Sequence, residues 1–503
     1  MNQFLWHYQQ VEPTTWAYLS SLLMLALFFK FNRVWSVRNI DLLLLILLAP
    51  GLLLVHHAQR QQEAIAVRIK LLEDPVPRSP DARSSWRGLA MQVSWQDSEP
   101  EDGWSDRPEE RAEYDQLASE YAEWRTIERR GFLWLFAIGA VLLIRLLFDP
   151  TMVRRPLLDP NLSTGGLIFI CCSLFIFVMA NVIASTPTES DLYGPKAAAQ
   201  LLVRDGGDAQ KQLERHGPGY AVITLLSSIP TMSLMDQPAS DEGFAFSVAA
   251  KAMAILSHLA VVLGMIGIGY RHFDNIKMGI GSATIYMMLP YTTIWTGRIE
   301  HVLPAALLIW AVLNYRRPLI AGLCIGSAIG VVYYPIFLLP LWISFYWQRG
   351  VWRFVLGNLA SLSIMTASLL FVSENLSAFW ANVQTMFGLW LPILEGLEGV
   401  WGLGWDPVYR IPVLVAFVAL SCTLAIWPAR KNLGTLLSCS AAVMVAVQFW
   451  HGFGGGLFVG WYLPLALLTI FRPNLEDRVA LAVVTENWFP LQRRRGPRLI
   501  RAA

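Results

Sequence analysis

The chain has 503 residues, 55% hydrophobic and 15% charged, with a mean hydropathy of +0.44; this is more apolar surface than one water-soluble core can hide, which excludes a single soluble globular domain. Basic residues number 39 against 37 acidic, a net charge of +2, too balanced for a generally basic nucleic-acid binder, and no nucleic-acid module is visible. Aromatic residues make up 12% of the chain, with 21 Trp set largely at the ends of apolar stretches, as in a polytopic helical membrane protein.

A hydrocarbon core about 30 Å thick needs about 20 helical residues, or somewhat fewer with snorkelling flanks. On that rule about thirteen spans are expected: Thr14–Phe29, Ile40–Val55, Gly131–Phe148, Gly166–Ser185, Phe246–Tyr270, Met278–Trp295, Val302–Tyr315, Leu319–Tyr333, Ile336–Trp347, Phe354–Val372, Ile411–Trp427, Leu436–Trp450 and Leu457–Phe471. The two that flank Tyr333, Tyr334 and Pro335 are alternatively one kinked helix. The first run lacks a basic leader and a small-residue cleavage site, so it is expected to stay as an anchor. Four cysteines (Cys171, Cys172, Cys324, Cys422) lie within apolar stretches and Cys439 near the start of another, without metal-ligand spacing. They read as packing residues.

Basic clusters fix the expected orientation. Lys30, Arg33 and Arg38, then Arg154 and Arg155, Arg271 and Lys277, Arg316 and Arg317, Arg349 and Arg353, and Arg430 and Lys431 all follow odd-numbered spans, and the tail adds Arg493, Arg494, Arg495, Arg498 and Arg501. Lys and Arg are retained in the cytoplasm, so the N-terminus is placed outside and the C-terminus inside, in a bacterial inner (cytoplasmic) membrane. The apolar run Gly219–Met235 is then an outer-surface or re-entrant segment. Residues 1–56 read as a two-span module and 57–130 as a charged loop. In that loop Tyr114, Leu117, Tyr121 and Trp124 form one helical stripe, expected to pack as an extension of the third span. Residues 131–471 are the core, with outer loops at 186–243 and 373–410, and 472–503 are a basic cytoplasmic tail.

The first core loop reads TESDLYGPKAAAQLL and then HGPGYAVITLL. Glu189 and Asp191 lie just beyond the fourth span, where an acid can remain ionised and accept a proton. Taken alone, acids at a helix start are more often ordinary solvated caps. Further on, TGRIEHVLPAALLIWAVLNYRRPLIAGL puts Arg298, Glu300 and His301 on the same outer side.

This order of elements resembles the GT-C superfamily of membrane glycosyltransferases, mannosyltransferase-like enzymes with polyprenyl-phosphate sugar donors. Asp191, Tyr193 and AAAQLL match the essential acid, Tyr and Ala-rich helix of the family's first outer loop, and HGPGYAVITLL is similar to its HPPGYPLLLALL-type segment. The resemblance covers roughly residues 181–471. It departs from the family at Val332, where a donor-binding Lys is usual three residues before the Pro, and in the extra spans and charged loop that precede the core.

The resemblance implies an all-α bundle, about 13 spans with a GT-C-like core and juxtamembrane helices in a large outer loop. It implies an inverting glycosyltransferase of the cell envelope, with Asp191 (and Glu189) catalytic and Tyr193 in the substrate pocket. The partners are a polyprenyl-phosphate-linked sugar, membrane lipid, and a glycan, lipid or protein acceptor, with no nucleic acid. Arg298 is the first choice to neutralise the leaving phosphate, because a guanidinium offers it two parallel donors. Arg410, beside WDPVYR, is the second. His216 and His301 are placed to donate hydrogen bonds or, with Glu300, to hold a divalent cation. Two alternatives stand beside this: a transporter or lipid flippase, and a non-catalytic subunit that recruits a partner through its charged loop.

Overall fold

The computed structural model describes residues 11–73, 108–152, 158–203, 217–231, 242–371, 373, 375–386, 396–429 and 431–473. His216 and the basic tail lie outside them, as do Arg154, Arg155 and Arg430. The helices are α1 (Pro13–Phe28), α2 (Val37–Glu73), α3 (Pro108–Phe148), α4 (Thr164–Ala184), α5 (Glu189–Val203), α6 (Pro218–Thr231), α7 (Glu242–Arg271), α8 (Ile276–Met288), α9 (Pro290–Ile294), α10 (Ile299–Leu313), α11 (Pro318–Val331), α12 (Leu339–Tyr346), α13 (Val351–Ser368), α14 (Leu376–Met386), α15 (Arg410–Ile426), α16 (Leu433–Trp450) and α17 (Leu463–Phe471). No strand occurs among the described residues.

All the expected apolar runs fall on helices, but they differ in length. Among the described residues seven helices are long and apolar enough to cross a membrane: α2, α3, α4, α7, α13, α15 and α16. The helices α1, α10, α11 and the stretch Tyr334–Tyr346 are apolar but shorter. The two runs around Pro335 are separate, because Val332 is extended and the chain restarts as a 3-10 turn at Tyr334–Leu338. The run after Gly219 becomes α6, which packs against α5, α7, α11 and α13.

The centre of the bundle is built from helices that are buried all round. Every residue of α16 but Phe449 is buried, and so is all of α17. The outer helices instead turn large apolar side chains outward, such as Phe169 and Ile176 on α4, Leu356 and Ile364 on α13 and Val415 on α15. A surface of this kind is stable facing lipid and costly facing water.

α2 and α3, at 37 and 41 residues, reach about 55 and 60 Å at 1.5 Å per residue. That is roughly twice the hydrocarbon thickness, so they pair as a hairpin extending past the bundle at the end that carries Asp191. The stripe of Tyr114, Leu117, Tyr121 and Trp124 is a packing surface: it closes on Ile65, Ile69 and Leu72 of α2. Its register is pinned by Gln59 and Gln62, which donate to the two oxygens of buried Glu128 at 3.0 and 2.9 Å.

At the opposite end a charge network fastens this hairpin to the core. Arg145 of α3 makes a two-pronged contact with Asp41 of α2, at 2.7 and 2.9 Å, and donates to Asp149 at 3.0 Å. Asp149 also accepts from Arg472 beyond α17 at 2.7 Å, while Arg38 donates to the carbonyls of Ile470 and Arg472. Asp41 and Asp149 are almost fully buried, so removing their shared cation takes from Asp41 its two-pronged partner and leaves Asp149 to Arg472. Arg145→Met is expected to cost about 3–5 kcal/mol, whereas Arg68→Ala, at the exposed Arg68–Glu113 pair, should cost less than about 1 kcal/mol. Denaturant unfolding of the detergent-solubilised protein distinguishes the two.

Candidate functional site

The residues that carry the sequence argument come together where several helices end. α4 stops at Ala184, and Thr188-Glu189-Ser190-Asp191 opens α5 as a capping box run from one side. Asp191 Oδ2 accepts from the Thr188 backbone N–H at 2.9 Å and from its hydroxyl at 2.6 Å. The cap therefore engages one carboxylate oxygen only. Oδ1 faces Arg298 Nε at 3.9 Å.

Arg298 is placed by a second break. Pro290 starts the short α9 because it needs no partner for a backbone N–H, and the chain turns through Thr296-Gly297 into α10, with Arg298 at the position just before its first residue. Its guanidinium lies 3.6 Å from Glu300 Oε1 and donates a hydrogen bond to the Ser190 hydroxyl. Both carboxylate contacts exceed hydrogen-bond length. Arg298 is thus held by charge between two acids that arrive on different helices, and its side chain keeps 32% of its surface exposed. Asp191 and Glu300 each lie in the first turn of their helix, where the dipole favours an anion.

Behind this trio stands an aromatic wall. His301 shares a 2.7 Å hydrogen bond with the Tyr291 hydroxyl through Nδ1 and stacks against Trp295 and Phe458. Phe458 stacks in turn on Trp461, whose indole N–H donates to the Glu300 carbonyl at 2.9 Å. His451 and Tyr334 continue the wall to Trp450. Arg410 is found there, donating to the Trp450 carbonyl at 2.7 Å with its guanidinium over the indole. It belongs to the far part of the same wall, among Tyr333, Tyr334 and His451, and burial and its charge hold His451 down at about 3, neutral at ordinary pH.

The structure therefore brings Asp191, Arg298, Glu300 and His301 into one cluster and sets Arg410 along its aromatic side. Tyr193 is half-buried on α5, and Gly194 beside it leaves room for Tyr220 of α6, 2.8 Å from where a Cβ would stand. Glu189 opens the helix, but its side chain, like all of His216, lies outside the described residues. The GPG segment next to His216 is fixed by close approach: the Gly217 N–H donates to the Val331 carbonyl at 2.9 Å, and a Cβ on Gly217 would meet the Gly330 carbonyl.

Sequence reasoning missed Thr188, Ser190, Tyr291, Trp295, Phe458 and His56. The T-x-x-D spacing was a readable signal for Thr188. Nothing local marks His56, which reaches the site from α2 with its ring 6.0 Å from that of Trp295.

Among the described residues no three His, Cys, Asp or Glu side chains gather to hold a divalent cation, one oxygen of Asp191 is spent on its cap, and a guanidinium already lies between the two carboxylates. His258 is a packing histidine, bonded to the Thr296 carbonyl and the Tyr286 hydroxyl, and Lys251 reaches the Ile183 carbonyl at the end of α4.

Burial raises the Asp191 carboxyl above the ordinary aspartate range, against the opposing pull of Arg298 and the two Thr188 hydrogen bonds, while Glu300 adds to the rise. Comparison of the chain with protein families, with curated proteins and with solved structures finds no match.

Asp191 should therefore titrate above an ordinary aspartate, and Arg298→Gln, which removes the largest lowering influence, should move the midpoint further up. The carboxyl stretch assigned by infrared difference against Asp191→Asn reads both. An unchanged or lowered midpoint in Arg298→Gln would show that the guanidinium does not act on Asp191.

Proposed function

We propose that the chain is a membrane glycosyltransferase that moves a sugar from a polyprenyl-phosphate donor to an acceptor hydroxyl on the outer face of the cytoplasmic membrane. In this reading all thirteen apolar runs cross, with the N-terminus outside. The observation that carries it is the pairing of a buried carboxylate, with one uncommitted oxygen, and a loosely held guanidinium a few ångströms away. One group suits proton removal and the other suits a phosphate leaving group, and the reaction needs both within one site.

Asp191 Oδ1 takes the proton of the acceptor hydroxyl as that oxygen attacks the anomeric carbon of the donor. The bond between the anomeric carbon and the phosphate oxygen breaks, and its electron pair leaves with the phosphate. The lipid phosphate changes from a monoanionic diester to a dianionic monoester, so Arg298 holds the product side more strongly than the substrate. A cation that gains attraction as charge develops lowers the barrier. Attack opposite the leaving group inverts the anomeric centre, and the raised basicity of Asp191 helps the proton transfer.

The aromatic wall supports the same reading, since sugar rings stack on apolar faces and the wall runs from His301 to Trp450 beside the two acids.

The test is transfer from polyprenyl-phosphate mannose, and then from other polyprenyl-phosphate hexoses, by the purified full chain in lipid. Asp191→Asn should lower turnover by at least about a hundredfold, the lower bound for losing a general base, with insertion and expression unchanged. Retention of full transfer by that variant overturns the mechanism, as does a reporter fusion that places residue 191 in the cytosol. Because Asp191 must be ionised, activity should rise with pH through its elevated midpoint, and Arg298→Gln should carry that limb to higher pH while lowering the maximum.

A further inference from the structure

The N-terminal hairpin has no counterpart in the resemblance described above, yet α2 touches the site. His56 is half-buried and stands edge-on to Trp295, the residue that stacks on Tyr291 and His301 and lies three positions before Arg298. Both Arg298 and Arg60 lie within electrostatic reach of its imidazole. Arg60 is one turn beyond His56 on the same face of α2. Among the described residues neither His56 nor Arg60 has a hydrogen-bond or ion-pair partner, and Arg298 is held only by a hydroxyl and two long carboxylate contacts. The His56 imidazole thus stands beside the Arg298 end of the site, a second guanidinium, Arg60, lies one turn further along α2, and the Ser190 hydroxyl is the one hydrogen-bond acceptor that Arg298 has among the described residues. Such a collection of donors is matched by an oxyanion with several acceptor oxygens.

The position of α2 is not incidental. Gln59 and Gln62 lock it against Glu128, and the Arg145 network fixes its other end. α2 is therefore rigid where it brings His56 to Trp295, with exposed Arg60 one turn further on, the condition for a binding group to act at a defined place.

We infer that α2 forms a wall of the site and that His56 and Arg60, with Arg298, hold the phosphate of the polyprenyl carrier. This rests on the glycosyltransferase reading and extends it: the module ahead of the core becomes part of the donor site instead of an appendage. Arg298 grips the phosphate from the side of the bond that breaks, and His56 and Arg60 take the remaining oxygens.

The probe is polyprenyl phosphate, titrated onto the full chain in phosphatidylcholine nanodiscs and read by native mass spectrometry, with phosphatidylglycerol as the second ligand. His56→Ala and Arg60→Ala should each weaken polyprenyl phosphate about tenfold, the usual worth of one charge-assisted hydrogen bond, and His56→Gln should recover part of the loss. Phosphatidylglycerol binding should not change. Wild-type affinity in both α2 variants, with affinity lost in Arg298→Gln, overturns the inference and leaves the glycosyltransferase reading intact. Wild-type affinity in Arg298→Gln as well removes the phosphate role on which that reading depends. Equal losses for phosphatidylglycerol would make the cluster a headgroup clasp and overturn its assignment to the carrier.

Discussion

A single guanidinium shared by two carboxylates governs the end of the bundle where the helices break. Asp191 enters on α5 and Glu300 on α10, and without a cation between them two acids so near each other would repel in a site with little water. Arg298 settles this without closing a hydrogen-bonded pair on either side. The contacts are long enough to be exchanged and short enough to hold the three groups together. A tight, bidentate pair of the Arg145–Asp41 kind would be a poor binding site, because an incoming anion would have to displace well-made hydrogen bonds. The contrast between these two arginines separates a structural clasp from a group available to a ligand.

The clasp gives the looser site its geometry. Arg145, Asp41, Asp149, Arg472 and Arg38 join α2, α3 and the end of α17, so residues far apart in sequence are fixed at one end of the molecule. The α2–α3 register, set by Gln59, Gln62 and Glu128, carries that constraint along the hairpin to His56. α2 could not present a side chain to Trp295 reproducibly if it were free to slide by even one residue, since a helical face turns by about 100° per residue.

Much of this was legible in the sequence, for identifiable reasons. Apolar runs of 12 to 25 residues were legible as helices, because a helix satisfies its backbone within one continuous segment. Tyr114, Leu117, Tyr121 and Trp124 disclosed a packing face through their spacing alone, and it met α2. Asp191, Arg298, Glu300 and His301 were legible because they stand at run ends on the same expected side. What could not be read was which ends meet. The division of labour between the oxygens of Asp191 follows from the Thr188 cap, and the role of Trp461 in holding the Glu300 carbonyl depends on residues 161 positions apart. Arg410, the second candidate for the phosphate, is placed along the aromatic wall by its Nε bond to the Trp450 carbonyl, a contact between residues 40 positions apart that no local pattern shows. His56 carried no local pattern, since its importance comes from the hairpin that delivers it.

The place where the site formed follows from the same backbone constraint that made the helices. A chain that leaves helical geometry near lipid must find partners for the freed carbonyls within the protein. Here the partners are side chains with a polar edge on an apolar body. Trp16 donates to Met288 where α8 ends, His258 bonds Thr296 at the turn into α10, Trp461 meets Glu300, Trp401 meets Phe449, and Arg410 meets Trp450. The segment around residue 399 joins in through its backbone. Glu398 donates to the Gly452 carbonyl, and Gly399, at φ +70, packs so closely on Gly454 that a Cβ would collide. Breaking several helices at one level requires many indoles, imidazoles and guanidinium groups at that level. Those groups also offer ring faces and anion-binding donors, which are the features that the proposed lipid-phosphate sugar site draws on.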